Sequence, residues 1–253
     1  FGYHEYANKI EVMDSTVYDL ASLTKILASL PLVMQLVDKK ELGMNTKLSE
    51  MLPEYKNSNK ANITLKEMLS HYARLKAWIP FYRYTLNEDK TEVSPKYYSD
   101  IPDKDFNVQV AQNLYMRRDY MDTIFKTIRE SDLNSRLEYK YSDLPYYILK
   151  RYFERKFGKP MEQIVQENLY ESLGANYMTY LPLEKFSKDN ISPTEQDNIF
   201  RNQKVQGYVH DQGAAMLGGV SGHAGLFSNA NDVAKVMQMY LWKGFYGGKR
   251  YFD

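Results

Sequence analysis

The chain has 253 residues, enough for one large domain or two small ones, and its 33 basic and 32 acidic residues leave a net charge of +1. This balanced charge argues against a nucleic-acid-binding surface, and the absence of cysteine excludes disulfides and thiolate chemistry. No apolar run approaches the roughly 18 residues of a membrane span, so we expect none.

The N-terminal stretch "FGYHEYANKIEV" is strand-like. We predict a strand over residues 1–13 with a turn around Asn8 and Lys9. The stretch lacks both an initiating Met and the basic-then-apolar pattern of a signal segment. We therefore expect a processed or trimmed start.

Helices follow this strand. Apolar residues at helical spacing predict a helix over residues 22–40, in which Pro31 should cause a kink or a break. In "NITLKEMLSHY", Thr64 and Glu67 have the spacing of a capping box, which predicts the start of a second helix.

The middle of the chain has weak periodicity. We predict a variable insertion over residues 80–136, within which Tyr82–Asp105 is polar, aromatic and expected to be mobile or to form a lid. The stretch "MRRDYMDTIFKTIRES" near its end is a predicted helix.

The last third of the chain is again helical in pattern. Residues 143–157 and 160–173 are predicted helices separated by the Gly-Lys-Pro turn at 158–160, with Gly174 as a C-cap. A final amphipathic helix is predicted over Asn231–Trp242.

Ser22 and Lys25 lie three residues apart, about one helical turn, so both side chains share a face. At a helix N-terminus, free backbone donors and the positive end of the dipole would stabilise an oxyanion and favour a neutral, proton-accepting lysine. Such a pair can form an activated Ser-Lys nucleophile. The alternative, a capping Ser22 beside a solvated Lys25, is more frequent for this spacing alone.

Other candidate side chains have similar alternatives. Tyr141 could be an acid or base beside positive charge, or one of 23 tyrosines without such a role. In "GGVSGHAGLFS" the glycines indicate close backbone approach, and His223 is either catalytic or a loop histidine. Ser221 is not expected to be a nucleophile, because the G-x-S-x-G elbow is incomplete. The pair His210-Asp211 is more typical of a turn than of a dyad.

The four histidines lack the spacings of zinc sites. We therefore expect no metal and no cofactor.

Several motifs in order resemble one family. The stretches "YDLASLTK", "ITLKEMLSHYARL", "YSDLPYYIL", "GKPMEQIV", "LYESLGA" and "GHAGLFSNANDVAKVMQMYL" are similar to the serine β-lactamase and DD-peptidase superfamily. The branch they resemble most is the group of class C-type β-lactamases, D-alanyl-D-alanine carboxypeptidases and esterases. The likeness covers residues 1–79 and 137–245 and favours the catalytic interpretation of Ser22 and Lys25.

The resemblance implies specific roles for these residues. Ser22 would be the acyl-forming nucleophile, Lys25 its proton partner and Tyr141 a second acid or base. Asp143 stands where the family usually has Asn, and it would contact substrate. His223 would contact substrate too if His223-Ala224-Gly225 were the family's third motif.

Two departures from the family pattern bear on these roles. The stretch "LSHYARL" lacks the usual His-Thr-Ser-Gly continuation. A helix follows His223 directly, so "GHAGLFSNANDVAKV" matches better a glycine-rich stretch that lies well before the third motif in the family.

The resemblance implies an α/β (α+β) fold in which an antiparallel sheet and a helical subdomain enclose the active site. We expect one such domain over residues 1–253, incomplete and mainly helical, without its first strand and its last three. Strand pieces are expected near residues 178–181 and 205–210. The cleft would then lack a wall and a backbone oxyanion donor, so turnover by this chain alone should be very weak.

The predicted function is that of a serine acyl hydrolase acting through an acyl-enzyme on a β-lactam, a D-Ala-D-Ala peptide or an ester. The alternative is a non-catalytic binding protein, or an inactive fragment, on the same scaffold. The expected partner is a small-molecule or peptidoglycan-derived substrate, and the family implies a periplasmic or extracytoplasmic location. The sequence indicates no oligomeric state.

Overall fold

Helices dominate the architecture, which a computed structural model describes for residues 2–7 and 9–253. Helical residues make up 38% and strands 14%, which confirms a mainly helical α/β fold. The α-helices of the described residues are α1 (Leu30–Asp38), α2 (Leu48–Met51), α3 (Leu65–Leu69), α4 (Tyr120–Glu130), α5 (Leu144–Phe157), α6 (Met161–Val165), α7 (Glu171–Leu173), α8 (Gln212–Ala215) and α9 (Ala230–Leu241).

The strands are short and all their ladders are antiparallel. They are β1 (Tyr18–Asp19), β2 (Tyr98–Ser99), β3 (Phe106–Ala111), β4 (Leu114–Arg117), β5 (Glu195–Asp197), β6 (Gln203–Val205), β7 (Phe227–Ser228), β8 (Phe245–Tyr246) and β9 (Lys249–Arg250). The sheet orders are β1-β7, β2-β4-β3, β5-β6 and β8-β9. In the part of the chain that the structure describes, no sheet exceeds three strands, in agreement with the predicted incomplete sheet.

The N-terminal stretch does not form the strand predicted for residues 1–13. A single antiparallel bridge joins Tyr3 to Glu11, so the chain doubles back on itself and neither arm is long enough to be a strand. Phe1 and Asn8, which belong to this prediction and its turn, lie outside the described residues. Of the two strand pieces expected later, the one near 178–181 is a single bridge from Thr179 to Phe227, and the one near 205–210 overlaps β6 only at Val205.

The helix predicted over residues 22–40 is confirmed, but it contains three helix types in succession. A 3₁₀ turn over Ala21–Leu23 leads into a π-turn over Lys25–Ser29 and then into α1. Pro31 lies in the first turn of α1, where a missing N–H is tolerated, so the helical segment continues through it. Instead of the predicted kink or break, the π-turn changes to the α-helix α1 at Leu30, one residue before Pro31.

Tyrosine hydroxyls satisfy carbonyls inside the π-turn. Tyr170 donates to the Leu27 carbonyl at 3.1 Å, and Tyr240 donates to the Ile26 carbonyl at 2.6 Å. These side chains come from the π-turn at Gln166–Tyr170 and from α9. The π-turn is therefore held by side chains from two distant parts of the chain.

The other predicted helices are also confirmed. Thr64 caps α3, because its hydroxyl accepts from the Glu67 N–H at 3.2 Å while the Glu67 carboxylate accepts from the Thr64 N–H at 2.7 Å. Gly158 and Gly174 end their helices in the left-handed conformation, with φ of 66° and 64°. The helix predicted over Asn231–Trp242 corresponds to α9, and the one near residue 120 to α4.

Two tyrosines of the Tyr82–Asp105 stretch are packed. The rings of Tyr82 and Tyr98 lie 5.5 and 5.7 Å from that of Phe200, and both tyrosines are buried. The stretches 88–92 and 100–105 are exposed. The expected mobility therefore does not apply to Tyr82 and Tyr98. Their rings are buried, although the sequence around them has neither helical nor strand periodicity. Mobility stays a prediction for the exposed stretches.

One helical segment, Ala21–Asp38, is long and apolar enough by length and composition to cross a membrane, with a mean hydropathy of 1.3. This corrects the expectation that the chain contains no such segment. However, 56% of the segment is buried within the protein, and Leu27 and Leu32 have no exposed surface. A core helix meets the same two criteria, and this segment is packed as one.

Candidate active site

Ser22 is presented by an unusual backbone. It follows Ala21, whose φ of 46° is left-handed and costs strain for a residue with a Cβ. The Asp19 carboxylate supports this turn by accepting from the Ala21 N–H at 2.8 Å and from the His210 N–H at 2.6 Å. Ser22 is exposed at the start of the helical segment, where backbone N–H groups have no intrahelical acceptor.

The Lys25 ammonium lies between a hydroxyl and a carboxylate. Its Nζ is 2.8 Å from Ser22 Oγ and 2.7 Å from Asp143 Oδ1. The lysine is only 3% exposed, which contradicts the alternative of a solvated lysine beside a capping serine. The geometry is that of an exposed serine hydroxyl in direct contact with a buried amine.

Tyr141 lies beside the same ammonium. Lys25 Nζ is 4.8 Å from the centre of the Tyr141 ring and 5.4 Å from that of Tyr146. Tyr141 is 44% exposed, and within residues 2–7 and 9–253 its hydroxyl makes no hydrogen bond. The structure thus brings Tyr141 to the site through its ring, and the hydroxyl stays accessible to a ligand.

Asp143 reaches Lys25 because Ser142 takes over the capping of α5. The Ser142 hydroxyl accepts from the Leu144 N–H at 3.2 Å, whereas Asp143, in the N-cap position, makes no capping bond with its side chain. Its backbone N–H donates to the Ala77 carbonyl at 2.9 Å. The carboxylate is therefore free to pair with Lys25.

His223 lies in the interior and is 2% exposed. Its Nε2 is 2.8 Å from Asp211 Oδ1 and its Nδ1 is 2.9 Å from Ser221 Oγ, while its ring stacks on Tyr147 at 4.3 Å. It offers no surface to a substrate, so the geometry corresponds to the loop-histidine alternative. The reason is the glycine-rich loop, which packs this ring inward against α5.

Asp211 is a residue of this region that the sequence did not single out as functional. Burial disfavours its charged form, but the adjacent His223 and the N–H of Ala214 outweigh burial and lower the pKa of Asp211 to about 2. Ser221 completes an Asp-His-Ser chain, yet it has no exposed surface and cannot act as a nucleophile. The only signal in the sequence was the pair His210-Asp211, in which Asp211 caps α8.

The glycines of this loop allow the close approach that the sequence predicted. A Cβ on Gly222 would lie 2.3 Å from the Tyr146 carbonyl oxygen, and one on Gly225 would lie 2.2 Å from that of Gly219. Ser29 donates to the Gly222 carbonyl at 2.8 Å, which joins the loop to the helical segment carrying Lys25. The loop therefore buttresses the site from behind.

A cavity of about 260 Å³ opens beside the ion pair. It is lined by residues 78–82, by Asp143 and Tyr147, and by residues 211–213. Larger cavities exist, including one of about 610 Å³ near β3, but it contains none of the candidate catalytic residues. Ser22, Lys25 and Tyr141 do not line the smaller cavity either, and it borders the candidate site only through Asp143, which pairs with Lys25. Among the residues that the structure describes, no cluster of three metal-ligating side chains occurs.

The comparisons with known proteins agree with this geometry. A family model described as Beta-lactamase matches residues 1–248. A Bacillus subtilis protein named N-acetylmuramyl-L-alanine amidase is 32% identical over 256 residues, which cover 94% of this chain and 53% of that protein. The chain thus spans about half the length of the curated relatives it matches.

Solved structures show the same fold. The β-lactamase/D-alanine carboxypeptidase from Pseudomonas syringae aligns with a TM-score of 0.64 at 13% identity, over 99% of this chain and 58% of that one. The octameric penicillin-binding protein homologue from Pyrococcus abyssi aligns with a TM-score of 0.64 at 18% identity, over 97% and 49%.

Proposed function

Because the chain belongs to the Beta-lactamase family, we propose that it carries the nucleophile of a serine acyl hydrolase that acts through an acyl-enzyme. The observation that supports this most directly is the contact of 2.8 Å between Ser22 Oγ and the buried Lys25 ammonium. An exposed serine hydroxyl against a buried amine has little structural purpose, whereas it is the arrangement that proton transfer requires.

The proposed reaction has two steps. Ser22 Oγ attacks the acyl carbonyl carbon and loses its proton to a neutral Lys25, after which the bond to the amine or alcohol leaving group breaks and that group takes a proton, relayed through Tyr141. Water then attacks the acyl-serine ester, and the released acid and the restored Ser22 hydroxyl complete the balance. The Ser22 N–H at the start of the helical segment would donate to the oxyanion.

The proposed substrate is an amide derived from peptidoglycan. The Bacillus subtilis relative is named as an N-acetylmuramyl-L-alanine amidase and the Pseudomonas syringae structural neighbour as a β-lactamase/D-alanine carboxypeptidase, and these names support this class of acyl donor. β-Lactams and esters have the same reactive carbonyl and are the other candidates. Such a substrate favours action in the periplasm or elsewhere outside the cytoplasm.

A second candidate function is binding without turnover, and the ion pair favours it. Asp143 lies 2.7 Å from Lys25 and stabilises its ammonium form, which cannot accept the Ser22 proton. A protein with this pair could bind the same ligands in the cavity without forming an acyl-enzyme.

Covalent labelling distinguishes the two functions. We expect the chain to be labelled by a fluorescent penicillin or a fluorophosphonate, the Ser22→Ala variant not to be labelled, and a chelator to have no effect. Ser70→Ala, at another exposed serine, is the matched control and should label like the parent chain. Labelling that persists in Ser22→Ala would place the nucleophile elsewhere, and binding without labelling of the parent chain would favour the second function.

Hydrolysis of a substrate panel then tests the substrate class. N-acetylmuramyl-L-alanine, a peptide ending in D-Ala-D-Ala, a penicillin and a nitrophenyl ester would be compared at equal concentration. Preference for either peptidoglycan amide supports the proposal, and hydrolysis of the ester alone contradicts it.

A further inference from the structure

His71 lies behind the loop that carries Tyr141 and Asp143, and neither the proposed mechanism nor the family comparison uses it. It follows α3 and has a left-handed backbone, with a φ of 60°. His and Asn adopt this conformation more readily than most residues. His71 is therefore held in a left-handed backbone conformation that most other residue types adopt less readily.

Three consecutive residues of the loop contact His71. The Lys140 N–H donates to the His71 carbonyl at 2.9 Å, and the Ser142 N–H donates to His71 Nδ1 at 3.2 Å. Between them, the Tyr141 ring lies 4.7 Å from the imidazole. One residue thus fixes the backbone on both sides of Tyr141 as well as its ring.

These contacts require a neutral imidazole. A nitrogen that accepts from Ser142 must be unprotonated, whereas both nitrogens of an imidazolium are donors. Burial lowers the pKa of His71, and the positive charge of Lys25 lowers it further, against a smaller opposite effect of Asp143. The neutral form is therefore maintained well into weakly acidic solution.

The groups that face the imidazole come from every element around it. Lys25 approaches from the helical segment, Asp143 and Tyr141 from the loop, and Tyr146 from α5, with its ring 6.3 Å away. Tyr139, at 5.9 Å, covers the remaining side. Of these groups, His71 alone has an ordinary pKa in the range between pH 5 and 8.

We propose that neutral His71 is a positioning residue for the acyl transfer described above, on which this inference rests: it holds the loop so that Tyr141 stays beside Lys25, and its protonation releases the loop. The imidazole does not touch the reacting atoms. Its effect on the reaction passes through the Ser142 N–H and the Tyr141 ring.

Two substitutions of His71 distinguish its role as hydrogen-bond acceptor for the Ser142 N–H from the effect of its protonation. His71→Asn keeps a side-chain acceptor near the place of Nδ1 and tolerates positive φ, but it does not titrate. His71→Ala removes the acceptor and the ring. His4→Asn, at a histidine whose ring contacts Thr16 and none of the candidate site residues, is the matched control.

Acylation rates by the fluorescent probe would be measured from pH 4.5 to 8. In the parent chain we expect the rate to fall only at a pH below the ordinary histidine pKa of about 6.5, because the pKa of His71 is lowered by burial and by Lys25. His71→Asn should keep the rate at pH 7.5 within about threefold and lose this acid limb, whereas His71→Ala should be slower by about 10- to 100-fold at every pH, as for a misplaced catalytic group. The same acid limb in His71→Asn, or an unchanged rate in His71→Ala, would overturn the proposal.

A second measurement does not depend on activity. In ¹⁵N-labelled protein, the Ser142 amide should be protected from hydrogen exchange at neutral pH, lose protection as His71 is protonated, and be unprotected in His71→Ala. If the parent chain is not acylated at all, the proposed function fails, but this measurement still tests the role of His71. A Ser142 amide unaffected by His71→Ala would refute it.

Discussion

Lys25 and Asp143 carry the charges that control the proposed nucleophile. The ammonium contacts both Ser22 and Asp143, and only 4% of the lysine side chain is exposed against 22% of that of Asp143. The carboxylate stabilises the ammonium, which holds the lysine in place but opposes its use as a base. We therefore propose that the charge of Asp143 sets the balance between the two candidate functions, binding and turnover.

Asp143→Asn keeps an acceptor near Lys25 and removes the negative charge. We expect faster probe labelling at pH 7, because the Lys25 side chain then no longer pairs with a negative charge that opposes its use as a base. We also expect a loss of about 1–3 kcal/mol of stability, because a buried ammonium loses its counterion. Labelling rates at pH 7 and thermal unfolding check both, with the exposed Asp189→Asn as control. Labelling of Asp143→Asn that is no faster than that of the parent chain would show that Asp143 does not govern the nucleophile.

At the scale of elements, Asp211 connects α8 to the glycine-rich loop. Its carboxylate accepts from the Ala214 N–H at 2.7 Å, which caps α8, and contacts His223 Nε2 at 2.8 Å. His223 in turn stacks on Tyr147 of α5. One carboxylate thus joins three elements behind the cavity.

The contribution of Asp211 to the free energy of unfolding should depend on pH in the acidic range. A carboxyl whose pKa is lowered from 3.8 to about 2 stabilises the fold above roughly pH 4, and this contribution is lost as the pH falls from there towards 2. Asp211→Asn keeps the cap but removes the charge, so its unfolding free energy should fall at pH 7 and vary less between pH 4 and 2. Asp211→Ala should lose about 1 kcal/mol more with the cap. Denaturant unfolding at several pH values checks this, and equal pH dependence in the parent chain and Asp211→Asn would contradict it.

The helices could be predicted from the sequence because their signals are local. The Thr64 capping box and the glycines at 158 and 174 lie within a few residues of the ends they mark. The Ser22–Lys25 contact is local too, since the two residues are one turn apart. The motif order then added Tyr141, which the structure places beside Lys25.

The strands and the supports of the site could not be predicted in the same way, because they depend on distant residues. Tyr18 pairs with Ser228, and no local pattern indicates that partner. The contacts of His71 with Ser142 and of Asp211 with His223 likewise join different segments. Their sequence signals were a single histidine and a turn-like His-Asp pair.

At the scale of the whole molecule, the site lies beside a very small sheet. β1 leads directly into Ser22, and in the described part of the chain its ladder consists of β7 alone, with a single further bridge from Val17 to Ile191. Tyr18 of β1 is 38% exposed. The side of this strand that carries Tyr18 is therefore partly accessible to solvent.

We expect the 253-residue chain to be acylated but to turn over very slowly. The proposed mechanism assigns only the Ser22 N–H to the oxyanion, and a site with one backbone donor instead of two loses about 10²–10³ in turnover, against common kcat values of roughly 1–10³ s⁻¹. Single-turnover labelling and steady-state hydrolysis on the same sample measure the two steps. Steady-state rates in the common range, or circular dichroism dominated by strand, would contradict the prediction and return His223 to consideration as a third-motif residue.

The π-turn between Lys25 and Ser29 determines how the Ser22–Lys25 end of the helical segment is rotated about the helix axis relative to α1. A π-turn has one residue more than an α-turn, and each residue of an α-helix advances the chain by about 100° around its axis. The Ser22–Lys25 end is therefore turned relative to α1 by an angle that a single residue determines, and the hydroxyls of Tyr170 and Tyr240 fix that angle by occupying the Leu27 and Ile26 carbonyls. The face of α1 that packs into the core and the face that presents Ser22 therefore differ by this fixed rotation within one continuous helical segment.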